Sequence, residues 1–239
     1  MPELSIIIVS YNNAQLLEDC IASIKASMPI GTAPEVIVVD NNSADNTVAM
    51  LQNKFPEVKL ILNKDNKGFA AANNQGIRIA QGEYVMLLNN DTVIINDALS
   101  KMITYLREHP KIGLLGPRLL NGDRSVQAQG SMLGPHFWNS KIPVETKFLR
   151  GAVFLTSKKV LDQVGLLDEN FFFYNEDIDF CWRINKAGLK VVYYPLAEVI
   201  HFGGKTDWRR QWLGLKSTLY LWQKYLLKRN TRIQEYRNI

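Results

Sequence analysis

The sequence predicts an α/β fold: a doubly wound, mostly parallel sheet with helices on both faces. Three observations carry this. Short apolar runs at residues 4–9, 35–39, 58–62 and 84–88 have the length of buried strands. The segments between them repeat apolar residues at helical spacing. Strand and helix therefore alternate through the first 90 or so residues, and parallel strands joined by right-handed crossovers follow from that alternation.

Each element has its own signal. After the first strand, Ser10-Tyr11-Asn12-Asn13 offers turn and cap chemistry, and Leu16, Leu17, Cys20, Ile21 and Ile24 then mark a helix. The second strand closes on Asp40-Asn41-Asn42-Ser43, and a helix over 44–53 stops near Pro56. The polar loop 63–68 leads into a helix over 69–80. The fourth strand, Tyr84 to Leu88, runs without a break into Asn89-Asn90-Asp91. A buried strand ending in amides and a carboxylate delivers them to the carboxyl edge of the sheet, where open α/β folds bind ligands. The same tripeptide could instead turn the chain and cap the next helix through Asp91 or Asn96.

The second half is less regular. It reads as a helix over 97–108, a strand over 112–115, and a hairpin turn at Asn121-Gly122. A long loop over 129–146 follows, then a strand over 148–156 containing Gly151 and a short helix over 157–164. A helix over 176–187 is stopped by Gly188, and a strand over 191–194 is ended by Pro195. With no repeat or linker in sight, residues 1–204 read as a single domain with halves at about 1–115 and 116–204, followed by a basic helical tail, 205–239.

The chain has 239 residues, 46% hydrophobic and 21% charged, as in ordinary globular proteins. Its formal charge of +5 is uneven: residues 201–239 hold nine Lys or Arg against Asp207 and Glu235, a net +7, which leaves −2 for the rest. Cys20 and Cys181 lie in separate helical patterns and read as reduced, buried thiols of a cytoplasmic protein. The start at Met1-Pro2-Glu3 shows no signal peptide, and no run is long and apolar enough to span a bilayer.

The strand ends lack the glycine loops of the dinucleotide and P-loop phosphate sites. They carry side chains instead. A carboxylate such as Asp40 can accept from ribose hydroxyls or a base N–H, and Tyr11 can stack on a base. Taken singly, each is also a cap or a turn. In Glu176-Asp177-x-Asp179, acids favour the first turn of a helix that Asn175 can cap. Asp179 and Arg183 are i,i+4 partners. Asp177 has no such partner and is free to accept a proton, while Phe171-Phe172-Phe173-Tyr174 can desolvate the carboxylates. His109 and His136 read as structural or solvated, and His201 would be a ligand only with Asp91 nearby.

As an ordered set, these residues resemble family-2 inverting glycosyltransferases of GT-A fold, rhamnosyltransferase-like members in particular. The segments are 5–13 (SIIIVSYNN), 36–43 (VIVVDNNS), 66–76 (NKGFAAANNQG), 87–92 (LLNNDT), 150–152 (RGA), 175–183 (NEDIDFCWR) and His201. The resemblance implies a nucleotide-diphosphate sugar donor, dTDP- or UDP-linked with rhamnose as one case, and a glycan or lipid-linked acceptor. Ser10, Tyr11 and Asp40 would then hold the nucleoside. Asn42, Lys67, Gly68, Asn73, Asn89, Asn90 and Gly151 would line the donor pocket. The family's Asp-x-Asp motif stands here as Asn89-Asn90-Asp91, its first acid replaced by an amide. Asp91 with His201 would hold a divalent cation, Mg²⁺ or, given an imidazole, Mn²⁺. Asp177 would be the base, with Glu176 orienting the acceptor. Residues 118–147 would shape acceptor choice, and 116–204 would be the acceptor-side half.

In the tail, Trp208, Trp212, Leu215, Leu219, Trp222 and Leu226 make one helical stripe, accompanied by Arg209, Arg210, Lys216, Lys224, Lys228 and Arg229. It fits either a helix packed on the body or one lying on an anionic membrane, which would make the protein peripheral on the inner membrane face. No nucleic-acid-binding motif accompanies the charge.

Overall fold

The computed structural model describes residues 2–27, 33–129, 137–203 and 208–227, with backbone alone at 208–211, 226 and 227. Strands β1 (Leu4–Ser10), β2 (Glu35–Asp40), β3 (Lys59–Leu62) and β4 (Tyr84–Asn89) alternate with helices α1 (Ala14–Ser27), α2 (Thr47–Lys54) and α3 (Phe69–Ile79). They pair in parallel in the order β3-β2-β1-β4. Strands β1, β2 and β4 are covered on both faces, so their alternate residues feed different cores, while β3, expected to be buried, is a half-exposed edge strand. Ile6, Ile8, Met86 and Leu88 pack with α1, α2 and α4 (Ala98–Glu108). Ile7, Val85 and Leu87 pack with α3, α5 (Lys158–Val164) and α6 (Glu176–Lys186). This is the doubly wound, mostly parallel arrangement that the apolar runs predict.

The second half extends the same sheet with mixed pairing. Beyond β4 come β8 (Val153–Ser157), β6 (Ile112–Leu120), β9 (Lys190–His201) and β5 (Thr92–Ile94), while β7 (Val144–Thr146) joins β9. Here the structure corrects several sequence expectations. Strand β9 does not stop at Pro195. Its register against β6 jumps from Pro117↔Tyr194 to Arg118↔Glu198, so Pro195 lies in a bulge where its missing N–H costs no ladder bond. Strand β6 runs on to Leu120, and the Asn121-Gly122 turn is a five-residue loop closed by Asn121 N–H donating to Ser125. Residues 148–152 precede β8 rather than belonging to it. The expected long loop contains a 3₁₀ turn (Phe137–Asn139) and β7; His136 and the rest of 130–136 lie outside the described residues.

Helix α7 (Trp208–Trp222), followed by the π-helical turn Gln223–Leu227, packs against α6 and the segment before it. The fully buried Asp179 receives Arg183 Nε at 2.8 Å and, in addition, Lys224 and Tyr225. Lys224 also reaches Asp168 at 2.7 Å. Removing one partner of such a buried carboxylate costs about 3–5 kcal/mol, so this cluster fastens the tail helix to α6.

Both cysteines are buried and unpaired. Burial pushes the Cys20 thiol up to about 12 and raises that of Cys181 as well, and only the thiolate is reactive. Titration with a chromogenic disulfide should therefore count no thiol in the native protein and two after unfolding; a thiol that reacts at once in the folded state would contradict this packing.

Candidate functional site

The carboxyl ends of β1, β2 and β4 lie side by side, because the register sets Ser10 beside Asp40 and Val9 beside Asn89. Asn90 Nδ2 reaches the fully buried Ser10 Oγ at 3.4 Å, and Asn13 Nδ2 reaches Asn90 Oδ1 at 3.5 Å. Asp40 is buried and accepts from Ser43 N at 2.8 Å and Ser43 Oγ at 2.5 Å. Tyr11 is half exposed above this edge. Asn42 is exposed with φ +69°. It is Asn41, which the sequence reading passed over, that points inward: its Nδ2 donates to Gly68 O at 3.1 Å and its Oδ1 accepts from Asn63 Nδ2 at 2.9 Å. Those bonds hold the loop carrying Lys67, whose ammonium pairs with Asp65 at 2.6 Å. Asn73 is buried in α3 and donates to Phe69 O, one turn back.

Gly68 is required where it stands. Its φ is +83°, and a Cβ there would lie 2.5 Å from Phe172 O. The next residue, Phe69, donates its N–H to that same carbonyl at 2.8 Å. The loop beside the ends of β1 and β2 is thereby joined to the aromatic segment leading into α6.

Asp91 caps no helix, since β5 follows it directly. Antiparallel pairing of β5 with β9 sets Thr92 opposite His201, and Phe202 N–H donates to Asp91 O at 3.0 Å. His201 Nε2 consequently stands 3.5 Å from Asp91 Oδ1 and 3.5 Å from Asn89 Nδ2. Gln127 decides the imidazole tautomer. Its Nε2 donates to Asn121 Oδ1 at 3.0 Å and His201 O at 3.2 Å, so its Oε1, 2.8 Å from His201 Nδ1, must accept. In the neutral ring Nε2 is then a lone pair facing a carboxylate oxygen. Asp91 Oδ1 and Asn89 Oδ1 are buried with no hydrogen-bond partner. Asp91 Oδ1 and the His201 Nε2 lone pair thus face one another with the Asn89 amide N–H, 3.5 Å from Nε2, as the donor beside them. Two such acceptors suit a divalent cation completed by substrate oxygens. Asp91 and His201 would hold it, and Asn89 joins them if its amide is turned over. Among the described residues no group of three or more His, Cys, Asp or Glu gathers as a self-sufficient metal cage.

The second acidic site lies across β8. Asn89 N–H donates to Ala152 O at 2.9 Å, and the neighbouring Gly151 N–H donates to Asp177 Oδ2 at 3.1 Å. Two hydrogen bonds thus connect the end of β4 to the first turn of α6. A Cβ on Gly151 would come within 3.2 Å of Asp177 Cβ, which explains a glycine there. Asp177 Oδ1 accepts from Ile178 N at 2.8 Å, leaving lone pairs on both oxygens. Burial raises its carboxyl above the usual range. Glu176 is 7% exposed, and its Oε2 has no partner. Burial, then the charge of Asp177, pushes its carboxyl up to about 8. Asn175 does not cap α6: it adopts φ +69°, and its Nδ2 donates to Thr218 of α7 at 3.0 Å.

The sequence profile described as Glycosyl transferase family 2 matches residues 5–165. The chain belongs to that family. Among curated proteins this family-2 chain is similar to poly-beta-1,6-N-acetyl-D-glucosamine synthase of Staphylococcus aureus (strain COL), 28% identical over 206 residues, covering 81% of this chain and 48% of the relative. The Staphylococcus epidermidis synthase of the same name is 28% identical over 204 residues with the same coverage. The chain thus spans about half the length of the curated relatives it matches. Among solved structures it resembles GalNAc-T7 with UDP, GalNAc and Mn²⁺ (TM-score 0.72, 17% identity, 84% of this chain and 43% of that one). It also resembles the mannosyltransferase PcManGT from Pyrobaculum calidifontis in complex with GDP-Man and Mn²⁺ (TM-score 0.67, 21% identity, 88% and 59%). At these identities the likeness shows the fold, that of the GT-A glycosyltransferases.

Gln127 generates a test. Gln127→Leu removes the acceptor that fixes His201, and loss of such an outer partner weakens metal sites about 10–100-fold. Mn²⁺ affinity, read by electron paramagnetic resonance with nucleoside diphosphate present, should fall by about that factor. Unchanged affinity would remove Gln127 from the site.

Proposed function

We propose that this chain transfers a sugar from a nucleotide-diphosphate sugar to a hydroxyl of a glycan or lipid-linked acceptor, with inversion in a single displacement. The reading rests on one observation: the Asn89/Asp91/His201 cluster and the Glu176/Asp177 pair are linked through the hydrogen bonds of Ala152 and Gly151. Ser10, Asp40 and Asn90 line the edge assigned to the nucleoside, with Tyr11 free to stack and Lys67 near the phosphates. A divalent cation bound by Asp91 and His201 would stabilise negative charge on the leaving diphosphate. Asp177 takes the proton of the acceptor hydroxyl as that oxygen bonds to the anomeric carbon and the bond to the diphosphate oxygen breaks. Its raised basicity suits the task. Glu176, neutral at pH 7 and unpartnered at Oε2, is free to hydrogen-bond the acceptor.

UDP- and dTDP-sugars, dTDP-rhamnose among them, are the donors to try first. The N-acetylglucosamine polymer made by the synthases it resembles makes nucleotide-activated N-acetylglucosamine another. Donor hydrolysis across such a panel separates an enzyme from a nucleotide-sugar-binding regulatory domain, which would bind one donor and turn over none.

Asp177→Asn keeps an oxygen for the Gly151 N–H but cannot take a proton. It should bind donor within about threefold of wild type by calorimetry while kcat falls about 10²–10⁴-fold. Transfer at the wild-type rate would sink the assignment.

The pH profile supplies a separate check. Asp177 must be ionised, so the acid limb of kcat should lie above the ordinary aspartate range, activity falling as pH drops through it. Glu176 ionises near pH 8 and puts a second charge beside Asp177, so an alkaline limb is expected there. Glu176→Gln holds the neutral state and should abolish that limb; an identical alkaline limb in the variant would exclude Glu176 as its source.

A further inference from the structure

Helix α7 packs on the body with the wrong face for a buried amphipathic helix. Its contacts with the body mix small, polar and aromatic groups: Gly214 lies against Tyr174, Ser217 donates to Phe173 O at 2.7 Å, Thr218 takes the Asn175 amide, and Tyr220 donates to Asp168 at 3.0 Å while its ring packs edge-on against Phe171. The apolar stripe points the other way. Trp212, Leu215, Leu219 and Trp222 are 55%, 51%, 60% and 61% exposed. Trp208 and Leu226, which continue the pattern in sequence, have side chains outside the described residues. An outward row of two tryptophans and two leucines on one helix is more than scattered surface apolarity.

The charge of this segment in sequence, with the exposed Lys216 beside the stripe, selects its occupant. Residues 201–239 carry a net +7 and the remaining chain −2. Lys216 is exposed, with its ammonium 5.6 Å from the Trp212 ring. Tryptophans at headgroup depth with cations beside them suit an anionic lipid surface. A second copy of the chain would bring the same net positive sequence and the same exposed Lys216, like charge that disfavours self-pairing. Among the described residues no helix is long and apolar enough to cross a membrane, so the contact would lie in the interface plane. From this we infer that the outward face of α7 docks the protein on an anionic membrane surface.

Docking there has a consequence for the site, resting in this respect on the function proposed above. Asn175, immediately before Glu176 and Asp177, is bonded to Thr218 of α7, and Asp179 is bonded to Lys224 and Tyr225. The helix on the lipid is bolted to the helix of the acidic pair, and acceptor hydroxyls near the headgroups come within its reach.

The test uses the whole chain and needs no catalytic readout, so its failure and that of the proposed function are separable. Vesicles of phosphatidylglycerol and phosphatidylcholine in equal parts, and vesicles of phosphatidylcholine alone, are floated with the wild type and with the variant W212S/L215S/L219S/W222S. The wild type should bind the anionic vesicles, shift its tryptophan emission to the blue, and be partly released as NaCl rises from about 0.1 M to about 1 M, which shortens the screening length from about 10 to about 3 Å. The variant changes exposed positions only; with an unchanged far-UV spectrum and unchanged donor hydrolysis, it should bind at least about tenfold more weakly. Single variants W212S and W222S should each weaken binding in part. The inference is overturned by a wild type that does not float with anionic lipid. Binding that the fourfold variant retains would also overturn it, as would a concentration-dependent dimer in sedimentation that the same variant abolishes.

Discussion

Two hydrogen bonds on adjoining residues hold the two halves of this site to one another. Asn89 N–H donates to Ala152 and Gly151 N–H donates to Asp177, so the end of β4 and the start of α6 share one short backbone segment as their common support. The glycine eases that approach, since a Cβ there would come within 3.2 Å of Asp177 Cβ. Both acidic clusters thus lean on the Gly151-Ala152 segment just before β8. Groups set in place by backbone bonds between packed elements hold their geometry more closely than groups on a free loop.

The site also stores unmet electrostatic demand. Asp91 Oδ1, Asn89 Oδ1 and Glu176 Oε2 are buried acceptors without donors, a costly condition in a folded protein. At Asp91 the demand is sharpened by Gln127, which turns the His201 lone pair toward the carboxylate. At Glu176, burial and then the neighbouring Asp177 charge push the carboxyl upward, which favours its protonated form. On the function proposed above, a cation would answer the first demand and an acceptor hydroxyl the second.

Much of the fold was legible because β1, β2 and β4 are buried on both faces, and their apolar runs and polar ends are local signals. The second half was harder. Strand β9 continues past Pro195 because the bulge against β6 spares the proline a ladder bond, and the partner strand that decides this lies some 75 residues earlier. Asn41 and Gln127 gave no sequence signal. An amide shows its role only when the neighbours that fix its two ends are known. The outward turn of the α7 stripe was likewise hidden, since periodicity defines a face but not what that face meets.

By itself, the sequence determined the alternation of strands and helices, the polar ends of β1, β2 and β4, the Asp179–Arg183 pair and the basic tail, all set by neighbours a few residues apart. Tertiary structure alone decided that His201 faces Asp91, that Gly151 touches Asp177 and that Lys224 closes on Asp179. Those contacts join residues separated by 26 to 110 positions. Strand register and helix docking bring them together, and both are properties of the whole packed sheet.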